Sequence, residues 1–191
     1  MKKLITVFGP SDCRPEDKLY QDAELLGRSL AENHFIVVSG SYEGVMEAAA
    51  KGATQAGGRA IGVTAEVYHA RGREPNTYLS KEIRVKSAVD QLMELIDLGD
   101  AYVANGSDPG TLLEVMTAWD FMEKRFIPRK PLILAGEGWS KFNDLFSTSP
   151  YFESYTELVS FVQSVPEAIR ILERTFGKQL DLPTLDVIQS R

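Results

Sequence analysis

Three short segments gather small and polar residues in a pattern that suits ligand binding: Gly9-Pro10-Ser11-Asp12, Ser39-Gly40-Ser41-Tyr42-Glu43-Gly44 and Asn105-Gly106-Ser107-Asp108-Pro109-Gly110-Thr111. Each follows an apolar run and leads into a helix-like one. Glycine lets main-chain amides approach a bound group closely, and a helix N-terminus carries partial positive charge, so such a segment suits a phosphate. Any one of them reads equally well as a tight strand-to-helix turn; the three together point to a binding cleft. Glu114 falls three residues after Thr111, on the same side of a helix. A carboxylate there can steady a developing cation or position water beside a sugar. It can also simply stabilise the helix dipole, and the local sequence leaves both roles open.

The elements that must position these loops alternate. Leu4–Phe8 reads as a first strand, its apolar run too short for a leader peptide. A helix follows over about Pro15–Asn33, with Leu19, Ala23, Leu26 and Leu30 at helical spacing. Phe35–Val38 and Ala60–Val63 read as strands around a small-residue helix, Gly44–Ala56. Thr64–Arg84 has no clear period and reads as a long loop. Val85–Asp97 reads as a helix with Val85, Val89, Leu92 and Ile96 on one face. The strand Ala101–Ala104, the helix from Gly110 to Phe126 and the strand Pro131–Leu134 come next. A helix near Trp139–Phe146, a short strand near Leu158–Phe161 and a helix near Pro166–Phe176 complete the series. Short apolar strands separated by amphipathic helices predict an α/β Rossmann-like fold: a doubly wound parallel sheet with helices on both faces. Ligands of such sheets bind outside the carboxyl ends of the strands, where all three glycine segments fall. Residues 1–178 form one domain in this reading, and 179–191 a C-terminal tail.

Composition narrows the function. The 191 residues carry a formal net charge of −6, which does not favour nucleic acid or an anionic membrane as partner. No apolar stretch approaches the roughly 20 residues of a membrane helix. Cys13 is the single cysteine, so an intrachain disulfide and a cysteine-based zinc site are both excluded, and a reducing cytoplasm is the expected compartment.

The stretches VFGPSD, VVSGSYEGVMEAAAKGATQAGGRAIGV and LMELIDLGDAYVANGSDPGTLLEVMTAWDF resemble the LOG family, the phosphoribohydrolases of nucleoside 5′-monophosphates also called lysine decarboxylase-like proteins. The resemblance runs from about Leu4 to Leu134. The family's Pro-Gly-Gly-x-Gly-Thr-x-x-Glu element falls on Gly106–Glu114. It implies that Gly106, Ser107, Asp108, Gly110 and Thr111 hold a phosphate or its replacement, and that Gly9, Ser11, Gly40 and Gly44 line the cleft. Glu114 would then assist cleavage of the bond between base and ribose through an oxocarbenium-like transition state. It further implies a small nucleotide-like ligand, no metal or organic cofactor, and a homodimer.

Two departures bear on that activity. Asp108 stands where a glycine would face the phosphate. Two unit charges 5 Å apart at an effective dielectric near 20 repel by roughly 3 kcal/mol, unless Asp108 turns outward and caps the helix. The family's arginine falls on Gln91, which can hydrogen-bond but is uncharged. Arg84, seven residues earlier, could share the helix face about 10 Å away along the axis and take over the role. A scaffold altered in these two places either has another substrate or keeps binding without catalysis, as a ligand-binding module.

The remaining chemistry-bearing residues read as structural. His34 and His69 have no metal or triad spacing and read as surface residues. Ser11 lacks a partner base. Trp119 lies on an apolar stripe and reads as core, while Arg71 and Arg73 read as a solvated loop that could close over an anion. No lysine falls in the three loops, which argues against pyridoxal-dependent lysine decarboxylation.

Overall fold

A computed structural model describes residues 1–148 and 158–177; the 179–191 tail lies outside them. Seven strands form one parallel sheet: β1 (Leu4–Phe8), β2 (Ile36–Ser39), β3 (Ala60–Ala65), β4 (Lys81–Val85), β5 (Ala101–Asn105), β6 (Leu132–Ala135) and β7 (Val159–Val162). Their spatial order is β4-β3-β2-β1-β5-β6-β7. The chain winds outward from β1 to β4, then returns to lay β5 on the other side of β1. The crevice at the carboxyl ends of β1 and β5 is therefore the switch point of a doubly wound sheet.

The helices in chain order are α1 (Lys18–Glu32), α2 (Val45–Gln55), the short α3 (Glu66–His69), α4 (Ala88–Leu98), α5 (Pro109–Glu123), α6 (Ser140–Ser147) and α7 (Val165–Phe176). α1, α2 and α7 cover one face of the sheet, and α4 and α5 the other, where Phe142 of α6 also packs. The alternation within β1 shows why. Ile5 and Val7 join the α1/α2/α7 core, whereas Leu4 and Phe8 join the α4/α5 core, where Phe8 stacks on Tyr102. Trp119 is buried in that second core, as its place on the apolar stripe predicts. α1 and α2 pack backbone to backbone: a Cβ on Gly27 would collide with the Ala49 carbonyl, and one on Gly52 with the Glu24 carbonyl. Among the described residues no helix is long and apolar enough to cross a membrane.

The stretch expected to be a long loop is partly ordered structure. It holds α3 and ends in β4, which pairs with β3 at the edge of the sheet. Val85 closes that strand instead of opening a helix. Edge strands bury only one face and need no apolar run, and Lys-Glu-Ile-Arg-Val alternates half-buried with exposed positions. His69 is not a free surface residue either: its ring is mostly buried, between the carboxylates of Glu74 (3.5 Å) and Glu82 (3.6 Å).

Candidate functional site

The three glycine segments lie at the carboxyl ends of β1, β2 and β5, and they approach closely at their glycines. A Cβ on Gly9 would collide with the Val45 side chain at the start of α2 and stand 2.6 Å from the Asn105 carbonyl at the end of β5. Gly44 precedes α2 with φ +66° and ψ −131°, and a Cβ there would strike the Pro10 carbonyl and come within 2.7 Å of Ser11 main-chain atoms. The Val45 amide donates to the Pro10 carbonyl at 3.0 Å. Gly106, at φ +80°, lies against Leu19 and Pro10. The absence of side chains at Gly9, Gly44 and Gly106 is thus what lets the loops close on one another. Gly40 sits between Met46 Sδ and Gln91 Nε2.

The middle loop is held in place from outside. Ser41 is fully buried with φ +71°, and its hydroxyl donates to the Ser39 carbonyl at 3.0 Å. Asn76 donates through both its main-chain amide (2.8 Å) and Nδ2 (2.9 Å) to the Ser41 carbonyl. The Tyr42 hydroxyl accepts from the Ala65 amide at 3.1 Å. Asn76 is the positioning residue that sequence reasoning misses. The Pro75-Asn76 pair in the unpatterned stretch signals a turn, but nothing in it says which carbonyl the asparagine reaches.

At the third loop Asp108 caps α5. Its Oδ1 accepts from the Thr111 amide and the Thr111 hydroxyl, both at 2.7 Å, with Pro109 in the first turn. The capping alternative is therefore the realised one, and a carboxylate of the protein already occupies donors offered to a phosphate. Glu114 follows on the same helix, half-buried, with no hydrogen-bond or ion-pair partner among the described residues. Burial first, and the charge of Asp108 second, push its carboxyl up to about 8, so it is protonated at neutral pH and able to donate.

Gln91 and Arg84 part company. Gln91 is buried on α4, and its Nε2 donates to the Val63 carbonyl (2.6 Å) and the Gly40 carbonyl (3.3 Å) at the carboxyl ends of β3 and β2. α4 is fixed for this by a capping box: the Ser87 hydroxyl accepts from the Asp90 amide, and the Asp90 carboxylate accepts from the Ser87 amide. Ser87→Ala is expected to cost about 1 kcal/mol in a denaturant melt. Arg84 does not share the helix face of Gln91. It projects from edge strand β4, exposed, and its guanidinium lies 3.1 Å from Glu82. With β3, β2 and β1 between β4 and β5, it stands about 19 Å across the sheet from the Glu114 side. Ser11 lies half-buried in the first loop and Ser107 half-buried in the third, and Gly110 is exposed at the start of α5. At the opposite end of the sheet, by the amino ends of β5 and β6, a concavity of about 420 Å³ between Asp97, Asp100, Arg129 and Lys130 is separate from these loops.

A model of the SLOG cluster4 family matches residues 2–141. The whole fold is similar to the molybdenum cofactor carrier protein of Chlamydomonas reinhardtii, at 26% identity and a TM-score of 0.74, covering 93% of this chain and 100% of that one. It is also similar to the molybdenum cofactor binding protein of Rippkaea orientalis (24% identity, TM-score 0.73, 92% and 98% covered). DNA processing protein A of Streptococcus pneumoniae shares it at 16% identity and a TM-score of 0.62, over 88% of this chain and 61% of that one.

Proposed function

The chain belongs to the SLOG cluster4 family, and on that premise we propose that it is a binding module for a small nucleotide-like molecule, seated where β1, β2 and β5 end. The observation that carries this is the close approach of the three loops at Gly9, Gly44 and Gly106, with the Gln91 amide and the Glu114 carboxyl beside them. Binding is favoured over phosphoribohydrolysis because the cationic clamp of that reaction has no counterpart among the residues that match it. Gln91 is uncharged and tied to two carbonyls, Arg84 pairs with Glu82, and Asp108 supplies negative charge at α5.

Hydrolysis of an N-glycosidic bond is the second reading, and one feature favours it: Glu114 is protonated at neutrality and free of partners among the described residues, as a general acid requires. The likeness to molybdenum cofactor proteins brings that cofactor into the set of ligands to be tried. A homodimer belongs to the same reading. Leu113 on α5 and Val89 on neighbouring α4 are large apolar side chains left 58% and 67% exposed, and a second copy would cover them. Light scattering at twice the mass of the chain checks it.

The test is a thermal-shift panel of ribonucleosides, their 5′-monophosphates, the molybdenum cofactor and a single-stranded oligonucleotide, with chromatography for free base. A true ligand at 100 times its Kd adds about 2.7 kcal/mol, a Tm rise on the order of 5–10 °C for a chain of this size. A shift without base release supports the binding module. Base release abolished by Glu114→Ala replaces it with the hydrolase, and a panel with neither a shift nor base release removes both.

A further inference from the structure

The polar atoms left open at the cleft describe a particular ligand. At α5 the donors that would hold a phosphate, the Thr111 amide and hydroxyl, both go to Asp108 Oδ1. An incoming phosphate would have to displace a carboxylate that is covalently part of the loop, and would face its charge at close range. Gln91 points the same way for an independent reason. Carbonyl oxygens only accept hydrogen bonds, so the atom facing Gly40 and Val63 must be the amide nitrogen, and this fixes which way the amide is turned. Its Oε1 is left without a hydrogen-bond partner among the described residues, yet it is not sealed from solvent, although the residue as a whole is only 8% exposed. A buried amide with an open oxygen selects a donor, such as a hydroxyl or an amino group, and repels an anion. Glu114, protonated, adds a hydrogen-bond donor on the α5 side, while the loop charges Asp12, Glu43 and Asp108 are all negative.

Resting on the reading above, we propose that the cleft is specific for a nucleoside, an uncharged ligand rich in hydroxyl and amino donors, and rejects the corresponding 5′-monophosphate. Asp108 is the determinant that rejects the phosphate, and Gln91 Oε1 is an acceptor for a ligand donor. The β2 and β5 ends that carry Gln91's partner Gly40 and Asp108 lie on either side of β1, about 10 Å apart, so one ligand can reach from one to the other.

Calorimetric titration of the full chain with the four ribonucleosides and their four 5′-monophosphates tests this, with Asp108→Asn as the variant. Asparagine is as good an N-cap as aspartate, so α5 stays capped while the charge goes. At least one nucleoside is expected to bind tenfold or more tighter than its monophosphate. Asp108→Asn is expected to raise the monophosphate affinity at least tenfold and so to erase the preference for the nucleoside. A wild-type protein that binds the monophosphate as tightly as the nucleoside, or tighter, overturns the proposal and leaves the nucleotide-like reading standing. So does a preference that Asp108→Asn leaves unchanged. Binding of neither class overturns the proposal, and the reading it rests on falls as well when the molybdenum cofactor and the oligonucleotide also fail to bind.

Discussion

Gly44→Ala is expected to lower the unfolding free energy by about 4 kcal/mol, read as a fall in the urea midpoint at unchanged slope. Two costs combine. With φ +66° and ψ −131° the backbone occupies a region that is nearly glycine's alone. The new methyl would also meet main-chain atoms of Pro10 and Ser11, which cannot swing aside as the end of a flexible side chain would. Gly57 supplies the control, since it has φ +75° but no atom within 4 Å of where a methyl would stand. Gly57→Ala should therefore lose only the conformational part, about 1 kcal/mol. The difference between the two variants measures how tightly the β1 and β2 loops are locked together. Equal losses would mean that the loops yield, and the cleft would then not be the preformed surface described above. Where Gly44→Ala still folds, it should also bind ligand more weakly, because the start of α2 must retreat from Pro10.

The same residues show what the sequence discloses and what it hides. Central strands such as β1 and β5 are buried on both faces, so they must be continuous apolar runs and can be read directly. β4 is an edge strand whose exposed positions are charged, and in one dimension that pattern cannot be told from a loop. Reading β4 as loop shifts the start of α4 to Val85 and so sets Arg84 directly before the helix that carries Gln91. The true start, Ala88 behind the Ser87 cap, puts the two residues in different elements. The places of the three loops and of Glu114 are legible because small residues gather after each apolar run and Glu114 follows Thr111 by one helical turn. The orientation of Asp108 is not, because one residue serves as cap or as ligand contact according to a single side-chain rotation. Counting along the chain from a motif reaches Gln91, but its bonds to Gly40 and Val63 join positions 51 and 28 residues away, and pairings of that range leave no local trace.

Between pH 5 and pH 9 the protein is expected to lose stability that Glu114→Gln keeps. The carboxyl of Glu114 titrates near 4.5 in the unfolded chain and is pushed up to about 8 in the fold, by burial and then by Asp108. The folded state therefore holds a proton that the unfolded state releases throughout that window. The contribution of this group is fully present below about 4.5 and is lost as pH rises through about 8, so its slope runs opposite to that of an ordinary paired carboxylate. Glutamine mimics the protonated form in shape and cannot ionise, so the variant's melting temperature should be nearly flat over the window and should exceed the wild type's above pH 8. Asp108→Asn removes the second cause and should move the wild-type midpoint downward without abolishing it. Parallel profiles for wild type and Glu114→Gln would show that Glu114 is ionised and solvated in the fold, and would remove it as a proton donor in either reading of the cleft. If base release is observed, the same midpoint should reappear as the alkaline limb of the rate, because only the protonated carboxyl can donate to the departing base. Agreement of the two midpoints, one from melting and one from turnover, would assign the catalytic proton to Glu114 more directly than the loss of activity in Glu114→Ala.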